Sequence, residues 1–200
     1  LSIGSYRSTS LLSEENSLPA ITVNGEKVTE ANKADILDGQ NTGKLSYDET
    51  TNTLKSSGAI KGDLTIDAPG VNIDLYSSSD TTVGGKLTVT NAQDVKVTSE
   101  YYIAVFGAVE ISCTGKVKIT SERSFAVADS VTVKQAEEVE ISGKKNDKRI
   151  VTGDVKIECN VPVTIRNNGT GSMAKSIVYS GTSYKYYLSL IHISEPTRRR

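Results

Sequence analysis

Tyr101 and Tyr102 stand side by side, Arg123 follows 22 residues later, and Lys145, Asn146 and Arg149 come about one such interval further on. Sugars bind by laying an apolar ring face on an aromatic side chain while Asn, Lys and Arg take the hydroxyls or carboxylates, so the group has the composition of a carbohydrate site. It is a site only if the chain returns on itself at that interval. The plainer reading is that one tyrosine packs over an edge and the rest is a solvated turn. Other chemistry is thinly represented. A polysaccharide lyase needs an acidic Ca²⁺ cradle with a Lys or Arg base, and a hydrolase needs a carboxylate pair. Neither is legible, so no catalytic residue, metal site or cofactor is assigned. Asp80, Asp94, Asp129 and Asp154 fall at different turn positions, which leaves Ca²⁺ open without supporting it. Asn168-Gly-Thr170 fits a glycosylation acceptor, a pattern that also arises by chance.

The required return is written in a five-fold repeat of 22 to 24 residues: AIKGDLTI, TVGGKLTV, AVFGAVEI, AVADSVTV and IVTGDVKI. Self-similarity at this period marks a solenoid, in which each unit buries its apolar face only against its neighbours. Within a unit, two apolar-x-apolar strands flank a short turn, and a third short strand precedes them at Ile60, Val83, Val105, Val127 and Val151. Alternate strand residues point to opposite faces, so the apolar pairs go inward. The expected fold is all-β, a right-handed three-sheet parallel β-helix, its hand following from the rule for parallel crossovers. The inward columns are expected to be Leu64, Leu87, Val109, Val131, Val155 and Val71, Val95, Val117, Val139, Val163. The outward rows are Thr65, Thr88, Glu110, Thr132, Lys156 and Asn72, Lys96, Lys118, Glu140, Thr164. Lys118 beside Glu140 reads as a cross-strand charge pair on a solvated face.

Gly62, Gly85, Gly107 and Gly153 recur at one turn position, with Asp129 in their place once, and a backbone with positive φ would explain both residue types. The turn between the two strands alternates Ala92 and Ala136 with Cys113 and Cys159. Cysteines two coils apart would lie about 10 Å from each other, too far for a disulfide. Both are therefore expected to be free, buried and small-hydrophobe-like.

Residues 19–58 differ from the repeat. Asn24-Gly25 between alternating apolar positions signals a hairpin, ANKADILDG a helical turn, and LSYDETTNTLKSSGAI a second hairpin leading into the first coil. A solenoid exposes its terminal ladder, so this segment is expected to cap it. Residues 1–18 read as a linker or truncated N-terminus without the basic start and apolar run of a secretory signal, and 59–187 as a β-helix expected to continue further. Residues 188–200, LSLIHISEPTRRR, break the periodicity and read as a non-native tail. The sole histidine, His192, lies there and is assigned no role.

Composition agrees with this frame. With 36% apolar residues, 6% aromatic and no Trp, the core must be Val, Ile, Leu and Ala. A net charge of −1 with both signs mixed along the chain argues against nucleic acid. The longest apolar stretch, 101–109, is far below the roughly 20 residues that span a bilayer, so no membrane insertion is expected.

ITVNGEKVT, KLSYDETTNTL and the GDLTI and GKLTV units together resemble secreted or surface-attached right-handed parallel β-helix proteins of anaerobic bacteria labelled carbohydrate-binding, plain relatives of the pectate-lyase-like superfamily. Leu188–Arg198 resembles the in-frame translation of a transposon-end sequencing adapter. The β-helix resemblance implies an extracellular protein that binds plant or microbial polysaccharide and sometimes Ca²⁺. The expected function is a non-catalytic carbohydrate-binding module, monomeric, secreted or on the cell surface, with Tyr101, Tyr102, Arg123, Lys145, Asn146 and Arg149 as ligand residues. The alternative is a structural spacer or adhesin stalk without a small ligand, and a third reading is a β-helical polysaccharide lyase.

Overall fold

A stack of parallel strands, one above the next, is what a period of alternating Val and Ile dictates once each unit must borrow its neighbour's apolar face. The computed structural model describes residues 17–38, 43–180, 182–184 and 190–193, and it is a β-solenoid of about six turns. Strands β1 (Thr22–Val23), β2 (Glu26–Lys27), β3 (Leu45–Asp48) and β4 (Thr53–Ser56) form the cap. The coils follow as pairs: β5 (Leu64–Asp67) with β6 (Asn72–Ser77), β7 (Leu87–Ala92) with β8 (Val95–Ser99), and β9 (Val109–Cys113) with β10 (Lys116–Ser121). Then come β11 (Val131–Gln135) with β12 (Glu138–Gly143), β13 (Asp154–Ile157) with β14 (Val163–Asn167), and β15 (Ser176–Tyr179). Short β16 (Thr182–Tyr184) and β17 (Leu190–Ile193) end the described chain.

One face carries the sheet β16-β15-β13-β11-β9-β7-β5-β1-β2 and the second carries β17-β14-β12-β10-β8-β6-β4-β3. The third face is not a sheet of strands but a column of single parallel bridges, Ile60–Val83–Val105–Val127–Val151. Two successive inward residues at each level, such as Ala104-Val105 and Ala126-Val127, bend the chain there and leave no run of alternation for a strand to extend.

The first inward column is as expected, Leu64, Leu87, Val109, Val131 and Val155 in register and each no more than 2% exposed. The second begins differently. Ile73, not Val71, pairs with Val95, so the column runs Leu54, Ile73, Val95, Val117, Val139, Val163. Asp74 rather than Asn72 consequently lies beside Lys96. The cause is an extra residue in the first coil's turn. Pro69-Gly70, with Gly70 at φ +70° and Val71 N donating to Ala68 O at 3.1 Å, makes a type II turn that tucks Val71 inward before the strand starts.

The recurrent turn glycines are also explained differently. Only Gly62 has positive φ, at +78°. A Cβ on Gly107 would lie 2.6 Å from the backbone carbon of Gly85, and one on Gly85 2.5 Å from that of Gly62. Close approach of consecutive coils therefore selects glycine here. Where Asp129 takes the position, its Oδ1 accepts from the Ser130 N–H at 2.7 Å.

Asn24-Gly25 forms the expected hairpin, with φ of 50° and 83°, and β1 also lies antiparallel to β5. Asn24 fastens the cap: its N–H donates to Thr65 O, and its Oδ1 accepts from Thr65 N, each at 2.8 Å. The helical turn is present at Thr29, whose carbonyl accepts from Lys33 N at 2.9 Å, and β3 with β4 is the second hairpin. At the far end β17 lies antiparallel to β14, pairing His192 with Thr164. The sequence places residues 188–200 outside the fold, but an open ladder accepts a short apolar strand such as Leu190–Ile193 whatever its origin. The linker at 1–16 and the rest of that tail lie outside the described residues.

The Val117→Asp variant should lose at least about 3 kcal/mol, because the column offers the carboxylate no partner. It should also uncouple the coils on either side, seen as a lowered and broadened melting transition. Gly107→Ala should lower the melting temperature too, although its φ is ordinary, whereas Ala128→Gly on a neighbouring coil should change it little.

Candidate functional site: a basic loop ridge

The loops that leave the second strand of each coil stack into a ridge, and buried polar residues at the strand ends fix them. Ser77, Ser99 and Ser121 are fully buried. Ser99 Oγ accepts from Tyr102 N at 3.2 Å and donates to Asp80 O at 3.3 Å, while Ser121 Oγ accepts from Ser124 N at 2.9 Å and donates to Tyr102 O at 2.6 Å. Each serine thus caps its own loop and holds the loop one coil below. The exact 22-residue spacing of the three serines was the signal for this, and the sequence reading passed over it.

On the next coil Gly143 replaces serine, since a Cβ there would sit 2.8 Å from Ser124 O, and the following loop is two residues longer. That loop, Lys144-Lys145-Asn146-Asp147-Lys148-Arg149, is held from the coil above it. Asn167 is 3% exposed and uses its whole hydrogen-bonding capacity. Its Oδ1 accepts from Lys145 N (3.0 Å) and Gly169 N (2.9 Å), and its Nδ2 donates to Lys148 O (3.2 Å) and Ser172 O (2.9 Å). Gly171 N donates to Lys145 O at 2.9 Å, and a Cβ on Gly171 would fall 1.8 Å from Lys148 O. The Asn167 to Gly171 segment is therefore a seat for the basic loop.

The structure brings most of the expected ligand residues together. Arg123, Lys145 and Asn146 line an open depression of about 780 Å³ with Glu122, Lys144 and Lys148. Arg149 opens instead onto an adjoining hollow of about 470 Å³ with Phe125, Asp147 and Lys148, so Lys148 borders both. Tyr101 and Tyr102 are 50% and 51% exposed. The Arg123 guanidinium lies over the Tyr101 ring at 4.5 Å and the Lys145 ammonium over the Phe125 ring at 4.4 Å. One face of Tyr101 is thereby already covered by a cation, and Tyr102 is the more open ring. Asn146 Oδ1 accepts from Thr170 N at 3.2 Å, leaving its amide Nδ2 for a ligand.

Charge distinguishes this ridge from the flat faces. Four strand lysines are paired, Lys116 with Glu138, Lys118 with Glu140, Lys134 with Glu110 and Lys156 with Glu158 at 2.8 to 3.9 Å. Among the described residues none of Arg123, Lys144, Lys145, Lys148 and Arg149 joins an ion pair, and only Glu122 and Asp147 oppose them in the two hollows. Stacking a cation on a ring orients it at little cost and leaves its donors for an anion.

No group of three or more His, Cys, Asp and Glu converges among the described residues. Several aspartates instead serve the backbone: Asp63 Oδ1 accepts from Lys86 N and Asp94 Oδ1 from Lys116 N, one coil on, at 2.7 and 2.8 Å. Cys113 and Cys159 are free, but only Cys113 is buried, whereas Cys159 is half-buried. The turn that holds Cys159 carries Asn160 and Pro162, both exposed, and the half-buried Val161. Burial pushes the Cys113 thiol up to about 11 and raises that of Cys159 as well.

No protein family, curated protein or solved structure matches the chain, so the site rests on its own geometry.

Asn167→Ala should free the loop. Trypsin should cut the variant between Lys144 and Arg149 at least about tenfold faster than wild type, with a stability loss of about 1–3 kcal/mol for the stranded N–H and carbonyl groups. Thiol labelling near pH 8 should find Cys113 almost inert, with a thiolate fraction of about one in a thousand, and Cys159 reacting first.

Proposed function

We propose that the protein is a non-catalytic module of the secreted or surface-attached β-helix type that binds an acidic extracellular polysaccharide along the basic loop ridge. The observation that carries this reading is the set of five unpaired cations, Arg123, Lys144, Lys145, Lys148 and Arg149, around two adjoining hollows. A polyanion satisfies them together. Arg123 and Arg149 take carboxylates or sulfates through their planar forks, the lysines act as point charges, and Tyr102 receives the apolar face of a ring. The hollows are open and shallow, so each contact is weak and affinity grows with the number of sugar units engaged. The module holds its polymer without cleaving it, since a bond-breaking step would need an acid and a base at one point and the ridge offers only cations with Glu122 and Asp147 at its margins.

The paired charges on the flat faces favour a second reading, a spacer whose surface is solvated and self-satisfied. The unpaired ridge separates the two.

Pull-down on polygalacturonate, cellulose and peptidoglycan is the test. Binding should be strongest to polygalacturonate and weaken steeply with salt. Both an Arg123→Ala, Lys145→Ala variant and a Tyr101→Ala, Tyr102→Ala variant should lose about tenfold or more. Retention on none of the polymers would favour the spacer, and release of unsaturated sugar would overturn the non-catalytic assignment.

A further inference from the structure

Towards the cap, the same stack of loops changes character. Where the end of β4 meets the loop after β6 there is a half-enclosed hollow of about 500 Å³, lined among others by Ser57, Gly58, Tyr76, Ser78, Ser79 and Asp80. Among the described residues its lining has no cation and one carboxylate, Asp80. Tyr76, 38% exposed, is its only aromatic side chain. The Tyr76 hydroxyl donates to Glu100, its N–H donates to Ser56 Oγ at 2.9 Å, and its carbonyl accepts from Gly58 N at 2.9 Å. The ring is therefore anchored at the backbone and at its polar tip, and what it presents is a face. Gly58 and Ala59 add little side-chain bulk to the lining. Asp80 Oδ1 accepts from Thr81 N at 2.7 Å, which leaves Oδ2 as an acceptor in a lining that also holds Ser78 and Ser79.

We propose that this hollow is a second binding site, separate from the basic ridge, and that it takes a neutral pyranose unit. The chemistry selects the class. An aromatic platform suits the C–H face of a sugar ring, and a carboxylate oxygen with serine hydroxyls suits its O–H groups. A uronate or sulfated ring would meet Asp80 and Glu100 with no cation between, and a purely apolar ligand would leave the hydroxyl groups stranded. Because Tyr76 is fixed before binding, little ordering is needed, but a single ring in a half-open hollow makes few contacts. Affinity is therefore in the millimolar range, of order 1 mM.

The site is tested by saturation-transfer NMR on the 200-residue chain with the methyl pyranosides of glucose and galactose, with N-acetylglucosamine, and with galacturonate as the anionic control, at high salt to silence the ridge. At least one neutral sugar should give a signal concentrated on the protons of one ring face. Tyr76→Ala should abolish it, Asp80→Asn should weaken it several-fold, and Tyr76→Phe should preserve it. Tyr76→Ala should still bind polygalacturonate through the ridge as wild type does, which shows that its loss of the neutral sugar is loss of the platform rather than of the fold. The Arg123→Ala, Lys145→Ala variant should bind the neutral sugar as wild type does. No signal from any neutral sugar, or an equal signal in Tyr76→Ala, overturns the proposal. Polygalacturonate binding reads the ridge alone, so either site can fail while the other stands.

Discussion

Everything in this molecule depends on one constraint: each inward position must be stacked on its own counterpart about 4.8 Å away in the next coil. A globular core can trade a gap in one place for a bulge in another, but a narrow column cannot. The constraint fixes residue type, since β-branched side chains stack on a pleated surface with little loss of freedom, and each contributes about 1.5–3 kcal/mol on burial. It also fixes backbone spacing, and this is why glycines line up at the corner where Gly85 and Gly107 touch. The same repetition that builds the core leaves the faces uniform, and a uniform face has no site.

Function therefore has to come from departures from the period, and those departures have to be held in place. The loop after β12 is the clearest case. Two residues longer than its counterparts, it carries five charged side chains, and Asn167, Gly169 and Gly171 on the following coil close around its backbone. Ser99 and Ser121 each hold the loop beneath by one hydrogen bond, whereas Asn167 holds the longer loop by two, at Lys145 N and Lys148 O.

The fold was legible because two periods, two residues along a strand and about 22 along the chain, agree at every unit. Where they blur, the reading slipped. Val71 and Ile73 are both buried, so hydrophobicity alone favoured neither frame, and only the Pro69-Gly70 turn decides between them. Recurrent glycine was visible, but φ and close approach demand the same residue and differ only in three dimensions. The third face looked like a strand because one inward residue per coil was in phase, yet two inward residues in succession prevent one. At the ridge, Arg123 and Lys145 could be placed near Tyr101 by counting coils, whereas Phe125 under Lys145 and the contribution of Lys144 and Lys148 needed the actual path of the longer loop. His192 shows the converse, a residue set aside by sequence whose strand the open ladder nonetheless accepts.

The distribution of charge carries the argument one step further. On the flat faces a cation and an anion can be matched across neighbouring strands because register is fixed, and Lys118 beside Glu140 or Lys134 bonded to Glu110 is the result. Glu110 is held below its usual range by that hydrogen bond, and Lys134 is raised by the same contact. Such pairs contribute little stability, but they remove net charge from the surface and keep the faces inert. Along the loop ridge the register is lost, and rings replace carboxylates as the supports beneath Arg123 and Lys145. A ring neutralises no charge. The positive potential of the ridge is therefore cancelled by no ion pair among the described residues, on a chain whose overall balance is slightly negative.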